Sequence, residues 1–104
     1  MPRLGEVIAY IEREVLALAR SRCAGAKVLS FGATDTNSKH LAIWISTPTD
    51  AERDALRADP ALAAAFDAVL HNVGYSLADI AGFAFESQET VDRDYGGNWW
   101  YAVK

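Results

Sequence analysis

The sequence is poor in the residues that most often carry chemistry. Its 104 residues include one cysteine and two histidines: Cys23, His40 and His71. A single thiol cannot form an internal disulfide, so the sequence requires no oxidising compartment. A zinc site needs three or four convergent ligands at characteristic spacings, and these residues show none. We therefore expect no metal and no cofactor, and we expect Cys23 to pack as a small apolar side chain rather than act as a nucleophile.

Long apolar runs are also missing. The longest, ALAAAF over residues 61–66, is too short to cross a membrane. The N-terminal stretch is interrupted by Glu6, Glu12 and Glu14, so it lacks the apolar segment of a signal peptide. These absences predict a cytoplasmic protein with no membrane partner.

Positive charge is scarce as well. Ten basic residues stand against fourteen acidic ones, which gives a net charge of −4. A protein that binds nucleic acid through its phosphates needs a stripe of Lys and Arg, so we expect no nucleic-acid partner. Acidic side chains are instead concentrated in a polar segment that we expect to form a loop and to attract a basic protein partner, namely Glu86, Glu89, Asp92 and Asp94.

Familiar catalytic and ligand-binding motifs fail on inspection. The segment DRDYGGN, which begins at Asp92, has the glycine of a calcium loop. However, Gly96 occupies the fifth position and Val103 the twelfth, where calcium loops place oxygen ligands. No glycine-rich phosphate loop is present, and clustered carboxylates on a polar segment are usually solvated rather than catalytic. These failures predict a protein that is not an enzyme and has no catalytic residues.

Helical periodicity appears in the first and the middle thirds of the chain. Residues 3–23 place apolar side chains on one face: Leu4, Ile8, Ile11, Val15 and Leu18. A second helical region begins near residue 48, with either Thr47 as cap before Pro48 or Thr49 with Glu52 as a capping box. Asp59 before Pro60 then predicts the start of another helix.

Alternating apolar residues predict four strands, over residues 27–34, 40–47, 82–87 and 97–104. The polar segment DTNSK joins the first two as a hairpin. The expected architecture is therefore an N-terminal helix, a hairpin, two helices and a second hairpin. Together these elements predict a single α+β domain over residues 1–104, in which a four-stranded, mainly antiparallel sheet carries its helices on one face.

The two faces of this predicted sheet differ in composition. We expect the larger side chains to form the core: Leu29, Phe31, Leu41, Ile43, Ile45, Phe83, Phe85, Trp99, Tyr101 and Val103. The opposite face carries small residues with Trp44 and Trp100 among them. A solvent-facing sheet normally carries charged side chains, and exposed tryptophans are typical of binding surfaces. A register shift of one residue would exchange the faces and make both tryptophans structural.

These observations favour a small acidic protein-binding module without enzymatic activity, such as an inhibitor, an immunity-type antagonist or an adaptor. Trp44 and Trp100 are its predicted partner-binding residues, together with the four acidic residues of the polar segment. Two alternatives remain open at this point: a domain that binds an apolar small molecule between sheet and helices, and a homodimer formed through the tryptophan face.

Overall fold

The computed structural model describes residues 4–32, 40–75, 80 and 82–102, without the side chain of Trp100. The described elements follow in chain order: α1 (Leu4–Arg20), β1 (Lys27–Phe31), β2 (Ala42–Thr47), α2 (Asp50–Arg57), α3 (Pro60–His71), β3 (Gly82–Ser87), α4 (Gln88–Tyr95) and α5 (Trp99–Ala102). The predicted DTNSK turn and Val103 lie outside the described residues. No helix in the described ranges is long and apolar enough to cross a membrane.

The protein is α+β, but its sheet is three-stranded and mixed, so the prediction of a four-stranded, mainly antiparallel sheet is wrong. The described strands lie in the order β1-β2-β3. β1 pairs antiparallel with β2, whereas β3 pairs parallel with it. The two helices between β2 and β3 return the chain to the end of the sheet at which β2 begins, which makes this pairing parallel.

The predicted second hairpin is replaced by two helices. Ser87 ends β3 and caps α4, because its side-chain oxygen accepts the N–H of Thr90 at 3.0 Å. Gly96 follows α4 in the left-handed conformation, with φ of 61°, as expected of a helix C-terminus. These two signals define α4. Residues 99–102 then form a short helix instead of a strand, with the N–H of Tyr101 bonded to the carbonyl of Asn98 at 3.2 Å.

The helix starts follow side-chain capping. Thr49 caps α2 by accepting the N–H of Glu52 at 3.2 Å, so the capping-box alternative is right and the Thr47–Pro48 start is wrong. Asp59 caps α3 by accepting the N–H of Leu62 at 3.1 Å, with Pro60 in the first turn as predicted. Both caps satisfy backbone donors that have no partner within the helix.

One face of the sheet packs against α1 and α3 and forms the core. Ile43 and Ile45 are fully buried there, and Phe66 of α3 packs its ring 5.1 Å from that of Phe83. In β1, however, Val28 and Ser30 point inward, while Leu29 and Phe31 remain 38% and 43% exposed. The predicted orientation of β1 is therefore reversed.

The close approach of α1 explains this reversal. α1 packs directly against β1 and buries the small side chain of Ala19 completely, as the following turn does with Ala26. Val28 and Ser30 are small enough to lie beneath such a contact, whereas Leu29 and Phe31 are not. Tyr101 was also predicted to be buried, but it lies on α5 and is 58% exposed. Trp99, likewise predicted for the core, is only half-buried on α5.

Candidate functional site

The side of the sheet opposite α1 and α3 is the candidate binding surface, and we call it the open face. The strand register brings nine residues to it: Lys27, Leu29 and Phe31 of β1, Ala42, Trp44 and Ser46 of β2, and Gly82, Ala84 and Glu86 of β3. Its centre is apolar, and the charged residues lie at the end where β2 and β3 terminate. The face therefore combines an apolar strip with one polar end.

Trp44 lies at the centre of the open face, in the middle strand. It is half-buried, and its register partners are Leu29 on one side and Ala84 on the other. Sequence reasoning assigned Leu29 and Phe31 to the core, whereas the structure adds them to the surface that carries Trp44. The exposed apolar strip is consequently larger than predicted.

Trp100 does not share this arrangement. Residue 100 belongs to α5, so it does not lie beside Trp44 on a strand as the sequence predicted. The neighbouring Trp99 donates its indole N–H to the side-chain oxygen of Gln88 at 2.7 Å, which ties α5 to the start of α4. The structure therefore brings Trp44 together with Leu29 and Phe31 on one face, and residue 100 is not on a strand of this sheet.

The acidic segment forms the end of β3 and helix α4, so the expected loop is absent. Glu86 is engaged within the fold: its carboxylate accepts Arg53 Nη1 at 2.8 Å. Glu89 accepts the backbone N–H of Asp50 at 3.0 Å and is otherwise exposed. Asp92 and Asp94 are exposed on α4. Asp92 also accepts Gln88 Nε2 at 2.7 Å, and Asp94 pairs with Arg93 Nε at 3.2 Å. Three of the four predicted acidic residues thus remain exposed, each with one contact inside the fold.

A polar network that sequence reasoning missed joins α2 to α4. Its centre is Asp50, whose Oδ1 accepts hydrogen bonds from the hydroxyls of Ser87 and Thr90, the latter at 2.5 Å. Arg53 and Arg93 flank the same carboxylate at 3.4 and 3.2 Å. The hydroxyls of Ser87 and Thr90, followed by the two arginines, hold the pKa of Asp50 well below its usual range. The sequence could have indicated this network. Asp50 lies shortly after β2 and Ser87 ends β3, and parallel strands bring their C-terminal ends together.

This network is structural in character. Ser87 is completely buried and caps a helix, and no histidine in the described ranges contacts it. The hydrogen bonds that Arg53 donates to Glu86 and Asp54 raise the pKa of its guanidinium, which therefore stays charged. The arrangement fixes the two helix N-termini at the end of the sheet.

Cys23 is protected rather than reactive. Its Sγ donates to Glu52 Oε2 at 2.9 Å, and the residue is only 5% exposed. Burial, and then the hydrogen bond to Glu52, raise the pKa of the Cys23 thiol, whereas a nucleophilic cysteine needs a lowered one. Within residues 4–32, 40–75, 80 and 82–102, no cluster of three or more His, Cys, Asp or Glu residues is placed to hold a metal ion.

The described residues line two clefts beside the sheet. One, of about 280 Å³, is apolar and lies next to the core, where Ala63 and three phenylalanines line it: Phe66, Phe83 and Phe85. The other, of about 210 Å³, lies at the polar end of the open face, and we call it the Lys27 cleft. Its walls are Gly25, Lys27, Ser46, Thr47, Pro48 and Gln88.

Comparison of the chain with family models, with curated proteins and with solved structures finds no match. The functional assignment therefore depends on the residues of the open face, the Lys27 cleft and α4. Together these residues present exposed apolar area, hydrogen-bond donors and solvated carboxylates.

Proposed function

We propose that this protein is a protein-binding module without enzymatic activity, and that the open face is its main contact surface. The observation that carries the proposal is the exposure of Leu29 and Phe31, at 38% and 43%, beside the half-buried Trp44. Large apolar side chains grouped on one sheet face favour an interface, since isolated ones scattered over a surface need no explanation. A half-buried tryptophan next to them supplies a typical anchor for a partner.

The partner that fits best is a protein with an apolar protrusion flanked by basic side chains. Exposed carboxylates on α4, from Glu89, Asp92 and Asp94, lie on the helix that begins at Gln88 beside the polar end of the open face. With the net charge of −4, they favour fast association with a positively charged surface. An inhibitor, an immunity-type antagonist or an adaptor would all use such a surface.

The cellular location that accompanies this proposal is the cytoplasm. The one cysteine is a buried thiol bound to a carboxylate, so nothing in the fold depends on oxidation. A second candidate function, binding of an apolar small molecule, is favoured by the cleft of about 280 Å³ beside Phe66. Its volume is slightly below the usual range of roughly 300–1,000 Å³ for ligand pockets, so we rank it second.

Affinity capture followed by reconstitution tests the protein-binding proposal. The baits are the wild-type protein, an open-face variant with Leu29→Ser and Phe31→Ser, and a control with Tyr95→Ser. Tyr95 is 42% exposed on α4, so the control removes a similarly exposed aromatic residue away from the sheet. Any protein captured by wild type and control is purified, and its Kd is measured by calorimetry.

We expect the open-face variant to bind the purified partner at least tenfold more weakly than wild type, because interface anchors dominate affinity. Equal affinities for all three baits would contradict the proposal. The mass of the wild-type protein in solution, measured over a concentration series, provides the second readout. A dimer that the open-face variant abolishes would assign this face to self-association instead.

A further inference from the structure

The Lys27 cleft contains two hydrogen-bond donors that the fold does not use. Lys27 and Ser46 are register partners in the β1–β2 ladder, and both line the cleft. Ser46 is only 6% exposed, yet its hydroxyl has no hydrogen-bond partner among the described residues. Lys27 is exposed and forms no ion pair in that part of the chain. No buried side-chain nitrogen or oxygen atom in the described residues lacks a partner, so the Ser46 hydroxyl oxygen is accessible from the cleft, where an acceptor can reach it.

The remaining walls of the Lys27 cleft are fixed by contacts of their own. The amide of Gln88 donates to Asp92 and accepts from Trp99, both at 2.7 Å. Thr47 donates its hydroxyl to the carbonyl of Thr49 at 2.9 Å. Each of these side chains therefore has a partner within the fold, whereas the ammonium of Lys27 and the hydroxyl of Ser46 have none among the described residues.

The floor of the cleft depends on a close approach of two segments. A Cβ atom on Gly25 would lie 2.6 Å from Pro48 Cγ, which is closer than carbon atoms can approach. The turn after α1 therefore lies against the segment between β2 and α2 only because residue 25 is glycine. The cleft is thus held in shape from both sides.

The donor pair selects an anionic acceptor with an apolar group behind it. An ammonium and a hydroxyl that point to one space suit the two oxygens of a carboxylate. The cleft, at about 210 Å³, is smaller than the roughly 300–1,000 Å³ that encloses a whole ligand, so it accepts one end of a longer molecule. From Lys27 the same face continues along β1 to Leu29 and Phe31.

We propose that the Lys27 cleft binds the C-terminal carboxylate of a partner protein. The carboxylate accepts from Lys27 Nζ and Ser46 Oγ, and the apolar side chains that precede it pack over Leu29 and Trp44. Capture of a C-terminal carboxylate is an established mode of peptide recognition, usually through backbone N–H groups; here side-chain donors take that role. This inference deepens the proposed function and depends on it, because the same open face supplies the apolar contacts.

Titration of the isotope-labelled protein with synthetic peptides, followed by NMR, tests the inference. The probes are an acetylated tetrapeptide, KLAL, with a free carboxylate, the same peptide with an amidated terminus, and N-acetyl-leucine. The protein variants are Lys27→Met and Ser46→Ala. Arg13→Met, which removes one exposed positive charge from α1, is the matched control for net charge.

We expect the free-acid peptide to bind at least tenfold more tightly than its amide and to shift the amide resonances of Lys27, Ser46 and Gln88. Both cleft variants should abolish this preference, and Arg13→Met should preserve it. Equal binding of acid and amide, an unchanged preference in Lys27→Met, or the absence of any shift at millimolar peptide would overturn the inference. The amide spectrum of each variant shows in the same experiment that it is folded.

Three further results define the occupant and separate this inference from the proposed function. If N-acetyl-leucine binds as tightly as the tetrapeptide, a partner chain is ruled out and a small carboxylate is the occupant. If the acid preference is missing while a captured partner still requires Leu29 and Phe31, the carboxylate site fails and the binding module stands. If the preference is present but no captured partner depends on Leu29 and Phe31, the carboxylate site stands and the proposed function fails.

Discussion

The two faces of the sheet have similar apolar content but different surroundings. On the core face, Ile43 and Ile45 are fully buried beneath helices α1 and α3. On the open face, Leu29 and Phe31 remain well exposed although they are larger than the inward Val28 and Ser30. The difference teaches that the size of an apolar side chain does not decide whether it is buried. In β1 the packing of α1 decides it, because a close helix favours small residues on the strand face beneath it.

Truncation on the core face should have the largest effect. Phe66 is completely buried, with ring centroids 5.1 and 6.3 Å from Phe83 and Phe85. We expect Phe66→Ala to lower the free energy of unfolding by about 3–5 kcal/mol, because the cavity it leaves adds to the lost apolar burial. Urea unfolding followed by circular dichroism measures this. A loss of less than about 1 kcal/mol would show that the core does not depend on this face.

A matched pair of neighbours in β1 sharpens the comparison. Val28→Thr places a hydroxyl beneath α1 and should cost about 1–3 kcal/mol. Leu29→Thr changes an exposed residue and should remain within about 0.5 kcal/mol of wild type. Threonine favours strands, so both variants keep the backbone preference of β1. If Leu29→Thr were more destabilising than Val28→Thr, the result would support the orientation of β1 that the sequence predicted.

A substitution in the Asp50 network, at the end of the sheet and on neither face, should have a smaller effect on stability at neutral pH. Asp50 has a lowered pKa in the fold, so its contribution to stability is complete above the unfolded value of about 4 and is lost as the pH falls below it. Asp50→Asn should therefore lower the free energy of unfolding at about pH 7, and the loss should be smaller at about pH 3. Urea unfolding at both values checks this. A constant difference between variant and wild type would contradict the role of the carboxylate charge.

Much of the fold was predictable because local signals and global packing agree in most elements. The apolar face of α1, the Asp59 cap of α3 and the alternation in β2 and β3 each indicate the observed structure. The C-terminal segment misled the sequence analysis, since alternating aromatics favour a strand although Ser87 and Gly96 cap a helix. The capping residues were visible in the sequence, but their competition with a strand pattern could not be weighed without the tertiary structure.

The candidate site was only partly predictable for a related reason. Trp44 was placed on the right face because β2 alternates clearly, with Ile43 and Ile45 on the other side. β1 carries apolar residues on both faces, so its alternation does not specify an orientation. The Lys27 cleft joins residues from three separate segments, and no spacing within the sequence brings Lys27, Ser46 and Gln88 together. Such a site depends on strand register and could not be derived from local patterns.

The parallel pairing of β2 with β3 also imposes an order on folding. The β1–β2 pair closes a segment of ten residues, 32–41, whereas the β2–β3 pair must close thirty-four, 48–81. Chain entropy makes the longer closure costlier by about 1 kcal/mol, so the hairpin is expected to form before the third strand adds to it. In a chain emerging from the ribosome, the edge of β2 that pairs with β3 therefore stays unpaired until β3, which ends at residue 87, has been synthesised. The protection of that edge, and with it resistance to aggregation, depends on the last third of the chain.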